Sequence, residues 1–533
     1  MKTFLFFSFT FLFVTSAPQA EELGRGETGD SGRSAPAQRS SNSPSQDLQD
    51  LVSRMNSFIG CSDKVWPGMQ MPTSDMAVVD LDGSRWRIQN GNLVPATDLP
   101  TKISFNGGYA VNSNKTPREV ILGLQNLKRE QEMREQMEAS AQKSEAAGQE
   151  MQDPYASPHD SALCKQLREK FRKQNKSFAS GGSSSEPSLT DSAFMLGVHE
   201  GFHVCDQEDK WHYTSKQESG PRRSAYPAVT EPRQLRYKTK RAMMEALKTT
   251  DASQRQKYLQ EAAYWHKLYK SKYGEGSANP EPHEAMDILE GSARYVEILA
   301  NAVDCKKDIS SAELAKISRK AILDNVGVSP EATYDMESYS LGALAGALLD
   351  QNQKQSPAWK IKLEKDKVSA LDQLLGQVKP QRGALSAKEA KALDEISETP
   401  AKVAEECYAK PNMRQLANYK DDEYVWVSIP TQAFRGKGFY DGSSVIPGTS
   451  YVNIDSYASA GGVDVENQPL VQHPSNPCGA TGTLMVLVKK SSIKGNRVNY
   501  DNSSGHPAGK VSGTINPAPR TSSSLGTVYC ASN

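Results

Sequence analysis

The spacing of apolar positions changes character twice along the chain. Between 47 and 113, Leu48, Leu51, Val52, Met55 and Phe58 recur at helical spacing and predict an amphipathic helix. The runs Met76-Ala77-Val78-Val79-Asp80-Leu81 and Ser84-Arg85-Trp86-Arg87-Ile88 instead read as strands about the Asp82-Gly83 turn. Lys102-Ile103-Ser104-Phe105 and Tyr109-Ala110-Val111 read as a hairpin across Asn106-Gly107-Gly108. From 114 to 414 the helical period dominates. Val120, Ile121, Leu122, Leu124 and Leu127 predict a helix that frays near Ala146-Ala147-Gly148, and another is expected over 161–173. A Ser- and Gly-rich loop at 177–185 follows, readable as a flap or a plain solvated loop, and further helices are expected over 231–248, 252–272 and 357–407. Residues 338–349 form an apolar helix of small residues, too short to cross a bilayer. Past about 415, strand-like runs at 424–429, 451–454, 483–488, 511–515 and 527–530 alternate with Gly, Pro, Ser and Asn clusters. They predict an all-β unit over 415–533.

The ends and the composition place this pattern. Residues 1–20 read as an export signal: Lys2 supplies the positive start, Phe4 to Val14 a short apolar run, and Ser16, Ala17 and Ala20 the small residues. Residues 21–46 carry almost no apolar anchors and read as a disordered linker, with a propeptide as the functional alternative. At 533 residues the chain should hold two or three domains. Lysine plus arginine equals aspartate plus glutamate at 63 each, so no electrostatic case exists for nucleic acid or acidic membranes. No later run approaches the length of a membrane span, so the expectation is an exported protein without an integral membrane segment, periplasmic or secreted. Seven cysteines suit an oxidising compartment, and the odd number leaves one without an internal partner. Cys478 and Cys530 are expected to pair, and Cys205 reads as a buried thiol.

Candidate chemistry centres on His199-Glu200-Gly201-Phe202-His203. Histidines four residues apart share one helix face, so both imidazoles can reach a single ion, with Glu200 beside a water on that ion. Phe194, Met195, Leu196, Val198, Phe202 and Val204 make this a buried helix, and Asp191 or Ser192 is expected to cap it. A solvated surface helix would have polar neighbours instead. Zinc in a catalytic site takes three protein ligands. Glu290, followed by Gly291, Ser292 and Ala293, stands among small residues that let a second helix approach closely. Asp209, six positions past His203, is the rival, but Asp206 occupies the place where that arrangement turns on a glycine.

His199-Glu200-Gly201-Phe202-His203 together with Glu290-Gly291-Ser292-Ala293-Arg294-Tyr295 resembles the gluzincin class of zinc metallopeptidases, the thermolysin-like superfamily, over about 100–400. The resemblance implies a mainly helical zincin-like catalytic region; with the small N-terminal sheet and the C-terminal all-β domain read from the residue pattern, the expected class is α+β. It implies that His199, His203 and Glu290 hold Zn2+ and that Glu200 is the general base for peptide-bond hydrolysis of a protein or peptide substrate. Such enzymes align an extended peptide on a sheet edge, which the 47–113 region could supply; a sheet that only packs is the alternative. Two positions depart from the pattern. Glu290 is farther from His203 than in many members, and Arg294 stands where an aspartate would support a ligand histidine, leaving Asp287 as a substitute. A donor to the developing oxyanion is also needed, and Tyr339 is favoured over Tyr295, His283 and His212. Two other classes stay open: a catalytically inactive zincin-fold binding or envelope-associated protein, and a metal-free structural protein.

Overall fold

The computed structural model describes residues 43–531 apart from 70–75, 113–117, 133–161, 171–186, 214–229, 278–282, 328–333, 430–433, 441–445, 447–450, 479–483, 503–508 and shorter gaps. The expected export signal, nearly all of the linker, the fraying point at 146–148 and the 177–185 loop lie outside the described residues. The first helix, α1 (Gln46–Ile59), opens on the last residue assigned to the linker and buries Leu48, Leu51, Val52, Met55 and Phe58, the stripe its period requires. Ser45 caps it by accepting from Leu48 N at 3.2 Å, and its own backbone N–H donates to Asp80 at 2.7 Å, tying the helix start to the sheet.

Five strands make that sheet: β1 (Met76–Val79), β2 (Arg85–Gln89), β3 (Asn92–Pro95), β4 (Tyr109–Asn112) and β5 (Glu119–Gly123). Their order is β3-β2-β1-β5-β4, with β1 and β5 parallel and the other pairs antiparallel. Two expectations fail here. Val120, Ile121 and Leu122 belong to β5, a central strand, and the helix begins only at Leu124. Val120 and Leu122 pack into the main core while Ile121 packs into a separate cluster on the other face. A strand covered on both sides needs consecutive apolar residues, a pattern that also satisfies a helical period. Of the proposed hairpin, Lys102, Ser104, Asn106 and Gly107 lie outside the described residues; Ile103 and Phe105 lie in no strand, and β4 pairs with β5.

The helical region packs on one face of this sheet around one core that includes Leu48, Leu122, Phe194, Tyr295 and Leu344. Its central members are the histidine helix (Leu189–Gly201), the glutamate helix (Glu284–Ala302) and the tyrosine helix (Tyr334–Gln351). Ser188 caps the histidine helix in a capping box with Asp191, so the cap falls just before both expected residues. Gly291 of the glutamate helix and Gly342 of the tyrosine helix meet backbone to backbone: a Cβ on Gly291 would lie 3.0 Å from Gly342 Cα. Disulfides Cys61–Cys305 and Cys164–Cys407 cross this region, and Cys478–Cys530 closes the C-terminal part as expected. Cys205 is buried outside the bridges.

After residue 420 the chain forms one eleven-stranded sheet, from Tyr424–Ile429 to Gly526–Cys530. Val425, Val427 and Ile429 point into one cluster and Trp426 into another, so this strand is also buried on both faces. With helices and strands segregated along the sequence, the class is α+β. Among the described residues no helix is long and apolar enough to cross a membrane.

The glycine contact sets a test of this packing. Alanine is the better helix former by about 1 kcal/mol, yet at Gly342 its Cβ would fall on the Gly291 backbone. Gly342→Ala should therefore lower the urea-unfolding free energy by about 1–3 kcal/mol. Gly327→Ala, where nothing lies within 4 Å of the Cβ position, should stay within about 0.5 kcal/mol of the parent.

Candidate metal centre

The histidine helix reaches its place because Gly197 has no side chain. A Cβ there would lie 2.6 Å from Met55 Cε and 3.2 Å from Leu122 Cδ1, so the helix lies directly on α1 and the sheet. Two and three residues further on, His199 and Glu200 are buried at its C-terminal end. The backbone then passes into a π-helix, Phe202–Lys210, that carries His203. Such wide turns gather at functional positions. From the facing glutamate helix comes the buried Glu290 carboxylate.

These three side chains converge. His199 Nε2 lies 3.0 Å from His203 Nε2 and 3.2 Å from Glu290 Oε2, and His203 Nε2 lies 3.3 Å from the same oxygen. Ligands held at zinc's usual bond lengths in a tetrahedron stand about 3.3 Å apart. Among the described residues this trio forms the sole cluster with metal-ligand geometry.

The far side of each imidazole explains why the near side carries a lone pair. His199 Nδ1 faces Glu297 Oε2 at 3.1 Å, and Arg294 holds the other oxygen of Glu297 at 2.5 Å. His203 Nδ1 faces Gln207 Oε1 at 2.6 Å. The Gln207 amide donates to Leu289 O at 2.8 Å and Ser292 Oγ at 2.9 Å, which leaves its oxygen turned to the histidine. Both Nδ1 atoms therefore donate, which leaves the two Nε2 atoms, facing the Glu290 carboxylate, as the positions where a proton or an ion is held. Three electron-pair donors in van der Waals contact require a positive charge among them. Burial opposes a charge on His199, but its bonds to Glu290 and Glu297 prevail and carry its pKa up to about 10. Burial likewise opposes a charge on His203, and Glu290 raises its pKa nonetheless.

Glu200 is buried beside the cluster but outside the ligand trio. Burial pushes its carboxyl up to about 7, against the pull of His199 and His203, and a hydrogen bond from Tyr109 of β4 restrains the rise. The Tyr339 ring stacks on the His199 imidazole, 5.4 Å between centroids at 29°.

The remaining sequence candidates lie elsewhere. Tyr295 donates its hydroxyl to Asp350 among Trp66 and Trp359. His283 is buried against Tyr269 at 2.6 Å and Arg233 at 3.3 Å, and His212 is exposed in a left-handed conformation. Asp209 pairs with Arg118 at 2.8 Å and lies outside the trio. Asp287 does not support a histidine, because Arg236 takes both of its oxygens at 2.6 and 3.2 Å. Glu297 does that work, two turns beyond Glu290 on the same helix face; Gln207, one turn beyond His203, was also missed. Helical spacing from the ligands is the signal that points to both.

No family model matches this chain, and neither a curated protein nor a solved structure does.

A protonated His199 and a metal compete for the same lone pair, which fixes a sign. Below its raised pKa the metal-free protein holds a proton that the ion must displace, so apparent zinc affinity should rise with pH. The expected slope near neutrality is about tenfold per pH unit for one proton. Calorimetric titrations in buffers of different ionisation enthalpy measure the proton released; uptake with none released would contradict a protonated His199 in the metal-free protein.

Proposed function

We propose that this chain is an exported zinc metallopeptidase of gluzincin type, hydrolysing peptide bonds of a protein or peptide substrate. The observation that carries the reading is the mutual spacing of His199 Nε2, His203 Nε2 and Glu290 Oε2, with both imidazoles already turned by partners behind them. Two nitrogens and one carboxylate are a zinc donor set that leaves a fourth direction for water. The arrangement of sheet, histidine helix and glutamate helix fits a zincin-like catalytic region. Three disulfides suit an oxidising compartment, periplasmic or extracellular, as does the export-like N-terminus.

Bound to these ligands, zinc would supply Lewis acidity, making a water acidic near neutral pH and polarising a carbonyl. Glu200 takes one proton from the attacking water as its oxygen adds to the carbonyl carbon. That proton then goes to the amide nitrogen as the C–N bond breaks, releasing an amine and a carboxylic acid. A carboxyl held near 7 by burial suits both halves of that transfer. Tyr339, whose ring stacks on His199, would donate to the oxygen on which negative charge develops. β4 ends the five-stranded sheet and begins with Tyr109 on Glu200, so an extended peptide added to that edge would run past the base.

Glu200→Gln keeps the shape and removes the base. It should retain zinc and lose hydrolysis of an unstructured protein substrate by about 10²–10⁴-fold. Tyr339→Phe should lower kcat by about 10²–10³-fold with zinc retained. Hydrolysis by Glu200→Gln at the parent rate would remove Glu200 from its role, and zinc uptake with no hydrolysis by any form would point to a binding protein.

A further inference from the structure

The glutamate helix contributes more than one ligand. Leu289 and Ser292, on either side of Glu290, hold Gln207 behind His203, and Glu297 stands behind His199. One helix therefore supplies the carboxylate and orients both imidazoles.

Glu297 is the joint in that scheme that depends on a residue nearer the surface. Its carboxylate is largely buried, in a region that already contains Glu200 and Glu290. Its two oxygens are divided, Oε2 to His199 Nδ1 at 3.1 Å and Oε1 to Arg294 at 2.5 Å. Arg294 sits one turn before Glu297, with its side chain 27% exposed, so the link runs from the surface inward. Without it the buried Oε1 would lack its counter-charge, and rotation toward water would draw Oε2 away from His199.

We propose that Arg294 is a positioning residue for the metal: by occupying Oε1 of Glu297 it commits Oε2 to His199, which fixes the imidazole with Nδ1–H outward and the Nε2 lone pair on the ion. The inference rests on the metal reading above. It also accounts for an arginine at the place where the resemblance expects an aspartate. In this chain the task is shared by Arg294 and a carboxylate three residues later. A partly exposed ion pair adds little stability by itself, so its effect should show in metal affinity rather than in folding.

The test is the zinc dissociation constant, from chelator competition, for the full chain and its Arg294→Met, Arg294→Lys, Glu297→Leu and Arg294→Met/Glu297→Leu variants, with circular dichroism as the folding check. Arg294→Met should weaken zinc binding by about 10-fold or more, and Arg294→Lys should recover most of the loss. The double variant should bind no more weakly than Glu297→Leu alone, because both changes act through one link. Parent-like affinity in Arg294→Met, or losses that add in the double variant, would overturn the proposal. If Arg294→Met does not fold, Glu297→Gln reads the same link. Its amide nitrogen, turned to His199, should cost about 10-fold in affinity, and unchanged binding would overturn the proposal there too. A parent protein that takes up no zinc removes the metal reading and this inference together; zinc uptake insensitive to Arg294 removes this inference alone.

Discussion

Two imidazole lone pairs and a carboxylate oxygen held within 3.3 Å of one another are stable only with positive charge among them. The architecture around them works to keep them that close. Gly197 lets the histidine helix lie on α1 and the sheet, and Gly291 lets the tyrosine helix press on the glutamate helix from behind. Arg54 of α1 joins Asp191 at one end of the histidine helix to Asn301 near the end of the glutamate helix. The Cys61–Cys305 bridge ties α1 to the chain just past that same helix. Packing, not loop geometry, holds the donors in place.

A second polar cluster lies one turn from Glu290. Arg233 and Arg236 are buried with Asp287, Glu337 and Ser338, joining the helix that carries them (Thr230–Lys248) to the glutamate and tyrosine helices. Burial weighs against a charge on Arg236, but Asp287, Tyr269 and Glu337 raise its pKa and keep the guanidinium ionised. Buried pairs of this kind contribute little net stability. They link the helix that carries Tyr339, at Glu337 and Ser338, to the glutamate helix at Asp287.

Much of the site was legible because the helical period carries it. His199 and His203 could be placed on one helix face from spacing alone, with Glu200 beside them, and the stripe from Leu48 to Phe58 gave α1 almost to the residue. The Asp82-Gly83 turn marked the β1–β2 pair for the same local reason. What escaped is non-local. Val120 to Leu122 form a strand because neighbours cover both faces, which their own pattern does not encode. Glu297 and Gln207 matter through atoms supplied by another helix. Of the three disulfides, only the pair within one strand-rich segment could be expected, since the others join residues more than 240 positions apart.

If His199, His203 and Glu290 form one metal site, the metal leaves with any one of them. Elemental analysis of the purified protein and its Glu290→Ala variant, both checked for folding, should find about one zinc per chain in the parent and much less in the variant. A folded parent without zinc, or equal zinc in both proteins, would contradict that shared site.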